Sequence, residues 1–386
     1  MQARQIVFLV CAAALCLAAS CCDIPTVSLG IDDYYRVCRM QKLPLRPALS
    51  GARYEWRVDG ALVSTDREYI FLSADEGLYT ITLDIIDELT PFHHQFTVCV
   101  LHEEVEYSPY ISSVYEYCPA PGQFVNTMPQ YEPGDTYDDM VRKAGECISG
   151  TNDIMITLGG YGGYVTFGFD HTVINRDGYD FRIWGNCFYE LTEPDVAGGS
   201  AEPGIVMVSY DTNCNGVPDD QWYELAGSEY NNSLTVHDYT ITYRRPGDDA
   251  SDISWTDSRG SEGVLPKNMY HKQPYYPQWT ADDALSFTGS LLPPNGIDKS
   301  GSGTYYVLYS YAWGYVDNHP NEYADLNSFD IDNAVDASGR KVQLPGIDFV
   351  RVYTAVNQVC GWIGETSTEL SRAQDLNLPT NNIINQ

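Results

Sequence analysis

The sequence predicts an all-β protein: an N-terminal immunoglobulin-like β-sandwich followed by a larger, jelly-roll-like β-sandwich. Three observations carry this. Short runs of alternating apolar and polar residues recur along the chain and are separated by Gly, Pro, Asn and Asp. The composition is strand-like, with 30 Tyr, 7 Trp and 12 Phe. A single segment, Asp138 to Cys147, carries a convincing helical pattern, about three turns long.

The first 20 residues read as an export signal. Arg4 is the positive n-region, and Ile6 to Ala19 form an apolar run that is too short to span a bilayer. Ala18-Ala19-Ser20 before Cys21 suits a lipoprotein peptidase, which predicts lipidation of Cys21. The bulky residue of that box stands one place early, at Leu17, and Asp23 points to display on the outer face. These residues predict a lipid-anchored, surface-exposed outer-membrane protein. Loss of Arg4 with the signal takes the net charge from −31 to −32. Such acidity excludes nucleic acid as a partner and is compatible with divalent cations.

Residues 24–105 form the first predicted sandwich. Tyr54-Glu55-Trp56-Arg57-Val58 alternates and turns at Asp59-Gly60, and Gly77 to Ile85 is a long alternating strand. Trp56 between two flanking cysteines fits immunoglobulin-type packing. Through "YEWRVDG" and "GLYTITLDIID" this stretch resembles the PKD-type domains of bacterial surfaces, which implies a spacer. Of the 11 cysteines, Cys11 and Cys16 leave with the signal and Cys21 takes the lipid, so eight remain. An even number in an exported chain predicts disulfides. Cys38 with Cys99 is the favoured pair because they bracket this sandwich. Residues 106–150, rich in Pro, Tyr and Gly, read as a linker ending in the helix.

Residues 151–376 carry seven or more short strand patterns and read as the ligand-binding sandwich. The glycine cluster Gly159-Gly160-Tyr161-Gly162-Gly163 is no phosphate loop, since it lacks Lys-Ser/Thr and leads into a strand. The sharpest local signal is Asp211 to Asp220. Asp211, Asn213 and Asn215 hold the first, third and fifth places of an EF-hand-like loop, Gly216 the sixth and Asp219 the ninth. Trp222 stands at the twelfth, where a bidentate Glu belongs, leaving Asp220 or Glu224 to substitute. The pattern predicts structural Ca2+; an Asx-rich turn is the alternative. A second acidic run, Asp325 to Asp336, places Asp330 and Asp332 on one face of a strand.

Aromatic residues cluster in loops: Trp255, then Tyr270-His271, Tyr275, Tyr276 and Trp279, then Trp313, Tyr315 and His319. Converging at one end of a sandwich, such loops would make a stacking platform for a planar or cyclic ligand. No G-x-S-x-G or H-E-x-x-H occurs and no catalytic constellation is legible, so the sequence predicts a binding protein rather than an enzyme.

Six segments carry a wider resemblance: "GGYGGYVTFGFDHTV", "EPGIVMVSYDTNCNGVPDDQWYELAGSEY", "YYPQW", "WGYVDNHPNE", "FDIDNAVDASG" and "LPGIDFVRVYTAVNQVCGWIGETSTEL". Over residues 115–376 the chain resembles surface lipoproteins of gut Bacteroidetes that pair a PKD-like domain with this C-terminal domain. Some of these accompany TonB-dependent corrinoid uptake systems and bind vitamin B12. The resemblance implies a cobalamin-capturing accessory lipoprotein that passes its ligand to an outer-membrane transporter, with His319 as a candidate cobalt ligand. Cys187 and Cys214 depart from the small or polar residues expected at their places. A calcium-dependent carbohydrate-binding lipoprotein, a structural or adhesive subunit, and a glycan-processing enzyme are the other readings.

Overall fold

The computed structural model describes residues 28–87, 91–103, 105–190 and 197–378, and the chain is all-β, as its sequence predicts. The export signal, Cys21, Cys22 and Asp23 lie outside the described residues. Two compact units are formed, one from residues 28–33, 45–69 and 80–96, the other from 34–44, 70–79 and 97–378.

A five-stranded sheet takes the order Tyr34–Cys38, Phe92–Leu101, Gly77–Ile86, Arg53–Val58, Ala61–Ser64. Alternation decides its buried face: Ile81, Leu83 and Ile85 point inward, as do Tyr54 and Trp56. Trp56 is fully buried, and its indole N–H donates to the Asp66 carbonyl at 3.0 Å. Asp59 (φ 47°) and Gly60 (φ 88°) both adopt left-handed backbone, as a two-residue type I′ hairpin requires.

The expected Cys38–Cys99 disulfide is not formed, and no disulfide joins any two of the seven described cysteines. Register explains this. Tyr34–Cys38 pairs in parallel with residues 97–101, setting Arg36 opposite Cys99 and Cys38 opposite Leu101. The two thiols are therefore offset by two residues on adjacent strands, about 8 Å apart from strand rise and spacing. A disulfide needs Cα atoms within about 7 Å.

In the second unit the predicted helix forms at Tyr137–Ile148. Thr136 caps it reciprocally with Asp139, and Met140, Ala144 and Ile148 form its buried stripe. An antiparallel six-stranded sheet follows the order Ala334–Val335, Trp222–Leu225, Gly204–Ser209, Gly346–Thr354, Tyr164–Ile174, Ser113–Cys118. Its central strands read as nearly continuous apolar runs because both faces are covered. A four-stranded sheet, in the order Glu262–Leu265, Ile253–Asp257, Val236–Arg244, Ala284–Leu291, carries a second, tyrosine-rich core.

Candidate functional site

The Asp/Asn loop connects strand Gly204–Ser209 to its antiparallel partner Trp222–Leu225, and it gathers the predicted residues. Asp211 accepts from the backbone N–H groups of Asn215 (3.1 Å) and Gly216 (2.9 Å). Asn213 Nδ2 donates to Asp219 at 3.1 Å, and Asn215 Nδ2 donates to both oxygens of Asp219. The Asp220 carboxylate accepts from the Thr212 hydroxyl. Left-handed backbone at Cys214 and Gly216 lets the loop curl around these oxygens. Three of the five predicted side chains, Asn213, Asn215 and Asp219, are thus bonded together, Asp211 holds the backbone between them, and the oxygens of this set suit a hard cation. Glu224 is not a substitute ligand, since its carboxyl is bonded elsewhere.

The aromatic residues separate into two populations. Tyr275, Tyr276, Tyr315 and His319 are buried. Asn126, roughly 150 residues upstream, pulls the Tyr275–Trp279 loop inward: its Nδ2 donates to the carbonyls of Pro274 (2.8 Å) and Tyr276 (3.1 Å), and its Oδ1 accepts from Gln278 N–H (3.0 Å). Trp279 stacks on Tyr117, with ring centroids 6.0 Å apart, and packs against the main core. Trp255 is half-buried opposite Gly263, whose missing side chain makes room for the indole. Tyr315 accepts from Glu229 N–H. Tyr189 Oη holds His319 Nδ1 at 2.7 Å, Nε2 is buried without a hydrogen-bond partner, and burial lowers the pKa of the ring. Of the seven predicted ligand-binding residues, Trp313 alone is exposed, at 43%.

Residues that the pattern only partly named are more exposed. Met269, Tyr270 and Trp362 are 73%, 68% and 61% exposed. Asn268 ties the two loops together: its Oδ1 accepts from Tyr270 N–H (2.9 Å) and its Nδ2 donates to the Trp362 carbonyl (2.7 Å). Gln123 Nε2 braces the same turn through the Ile363 carbonyl at 2.9 Å. The "GWIG" turn around Trp362 was the available signal, because glycines on both sides of an aromatic favour an exposed loop tip.

A cleft of about 560 Å³ lies beside this sheet system and was not legible in the sequence. Trp222 and Glu224 project into it together, because alternate residues of a strand share one face. Opposite, a β-bulge sets His237 and Asp238 against the single residue Ser290, with Asp238 in left-handed backbone (φ 55°). Ser290 Oγ lies 2.6 Å from Glu224 Oε2 and 2.9 Å from His237 Nδ1, while His237 Nε2 reaches the Tyr230 carbonyl at 3.2 Å. Burial raises the Glu224 pKa to about 7.

Elsewhere in this unit, carboxylate oxygens of Glu202, Asp317 and Glu369 lie within 4.8 Å of one another. Asp317 accepts from Asn186 N–H (2.5 Å) and Glu369 N–H (3.0 Å), and Glu369 accepts from the hydroxyls of Ser367 and Thr157. Glu202 keeps partial exposure as a residue while its carboxyl is enclosed. No cationic side chain among the described residues pairs with the three. The other acidic run serves local structure: Asp330 caps a short 3₁₀ turn and Asp336 pairs with Arg340.

No family model and no curated protein matches the chain. Among solved structures, a quinoprotein alcohol dehydrogenase-like protein from Bacteroides thetaiotaomicron is 14% identical over 24% of this chain and 22% of its own length, with a TM-score of 0.19. The chain thus spans about a fifth of that protein, and the likeness carries no argument about fold or function.

Proposed function

We propose that this protein is a surface-exposed outer-membrane lipoprotein, anchored through Cys21, that captures a corrinoid and assists its uptake through a TonB-dependent transporter. It acts by binding, with no chemistry of its own. The resemblance over residues 115–376 supplies the ligand class. The observation that carries the reading is the pair of exposed aromatics, Tyr270 and Trp362, whose backbones are clamped by one side chain, Asn268. A bulky ligand with a planar ring edge and many amides suits exposed aromatic faces beside a side-chain amide. Clamping the loops in advance lowers the ordering cost of binding. Calcium in the Asp211–Asp220 loop is the structural cofactor of this reading, fixing the hairpin that leads into Trp222.

Calorimetric titration of the chain without residues 1–22 with cyanocobalamin, in calcium buffer, tests the proposal. Saturable binding at sub-micromolar affinity is the expected result. An absence of heat at several temperatures overturns it.

A further inference from the structure

The cleft beside Glu224 has a proton count that its geometry dictates. The chain Glu224–Ser290–His237–Tyr230 carbonyl contains three hydrogen-bond gaps and needs three hydrogens. A carbonyl only accepts, so His237 donates Nε2–H to Tyr230. The Ser290 hydroxyl supplies one of the two remaining gaps. The last is filled only by a proton on Glu224 Oε2 or on His237 Nδ1. Either placement leaves the glutamate and histidine together with no net charge.

The rest of the lining narrows the ligand. Asp238 and Asp336 face the same space, and no Lys or Arg lines it, which disfavours phosphates and carboxylates. Asp336 is committed to Arg340 and Ser338. The rings are committed too: Arg351 stacks on Trp222 at 4.3 Å, and His237 lies 4.6 Å from the Tyr230 centroid. An open aromatic cage for a cation is therefore absent from this lining. What remains is a concave site within the usual 300–1,000 Å³ range for small molecules, roughly, with half-buried aromatic edges and closely spaced oxygen and nitrogen groups. That chemistry fits vicinal hydroxyls on an apolar ring.

We propose that this cleft is a second, separate binding site, for one neutral sugar ring of a glycan, with Glu224 and Asp238 accepting from ring hydroxyls and Ser290 and His237 positioning Glu224. It stands independently of the corrinoid reading, because it shares no residue with the Tyr270–Trp362 platform.

The test is titration with the methyl glycosides of galactose, glucose and N-acetylglucosamine, and with glucuronate and glucosamine as charged counterparts. Saturable binding of at least one neutral glycoside at millimolar affinity or better is expected, with glucuronate at least tenfold weaker. Glu224→Ala should weaken that binding tenfold or more and leave cyanocobalamin affinity unchanged. Thr288→Tyr, which fills the cleft from an exposed strand position, should do the same and covers the case in which the Glu224 variant fails to fold. No binding by any of the three neutral glycosides, tighter binding of glucosamine or glucuronate, or full affinity in both variants overturns the proposal. Loss of cyanocobalamin binding alone leaves it standing and counts against the platform instead.

Discussion

The backbone N–H of Glu369 donates to Asp317 Oδ2 at 3.0 Å, bringing two carboxylates together in a pocket that already holds Glu202. Asp317 adopts left-handed backbone (φ 56°) to do so, a strain its two backbone hydrogen bonds hold in place. With no cationic side chain among the described residues beside them, burial pushes Asp317 up to about 7 and Glu369 up to about 8, and drives Glu202 well above the usual carboxylate range.

That arrangement predicts the pH dependence of stability. A carboxyl whose folded pKa is raised stabilises fully below its unfolded value, near 4, and this contribution is lost as pH climbs through the folded value. The melting temperature should therefore fall steadily between about pH 5 and pH 9 at constant ionic strength. Asp317→Asn, which keeps the acceptor and tolerates left-handed backbone, should flatten that fall. A melting temperature that rises toward pH 8.5 would contradict the protonated state.

The platform makes a different prediction. Tyr270 and Trp362 are exposed, so Tyr270→Ala and Trp362→Ala should shift the melting temperature by no more than a degree or two. Each should weaken cyanocobalamin binding about tenfold or more, the loss typical of an aromatic anchor. Asn268→Ala should weaken it as well, through disorder of the two loops rather than lost contact. Full affinity in the Tyr270→Ala, Trp362→Ala double variant would remove the platform.

What the sequence reveals and conceals follows from how far each signal reaches along the chain. Alternation in Gly77–Ile86 is local, and Ile81, Leu83 and Ile85 are buried as that alternation requires. The capping of the single helix by Thr136 is equally local. The Asp211–Asp219 cluster is contained in one loop, so its spacing was sufficient to bring it together. The aromatic loop at Tyr275 and Tyr276 has the composition of an exposed turn, but Asn126 decides its fate from about 150 residues away. Trp362 gains meaning only beside Asn268. Glu224, His237 and Ser290 belong to three strands, and a bulge that no pattern announces sets two of them face to face.

Calcium in the Asp211–Asp220 loop would stabilise the fold by mass action, by about 2.7 kcal/mol when the free ion is at one hundred times its dissociation constant. Adding 2 mM CaCl2 to EGTA-treated protein should raise the melting temperature by several degrees, and magnesium should raise it less, because flexible carboxylate and amide ligands favour the larger ion. Asp211→Ala should abolish the shift and also lower the calcium-free melting temperature, since Asp211 holds the Asn215 and Gly216 N–H groups without any ion. An unchanged melting temperature on chelation would leave the loop as a self-satisfied turn.

Trp279 separates core from surface most cleanly. Its ring stacks on Tyr117 at 6.0 Å and lies 6.2 Å from Tyr131, against the core that the helix Tyr137–Ile148 covers. Trp279→Ala should therefore leave a cavity and cost about 3 kcal/mol or more, read as a melting temperature lowered by several degrees. Cyanocobalamin affinity of the folded protein should stay within threefold of the parent. Tyr276→Phe, which removes one hydroxyl donated to the Asp282 carbonyl at 3.0 Å, should cost only about 1 kcal/mol. Both effects belong to packing, because Tyr276 is buried and the half-buried Trp279 ring is engaged by Tyr117 and Tyr131. The reverse pattern in Trp279→Ala, with stability intact and affinity lost, would return this tryptophan to the binding surface.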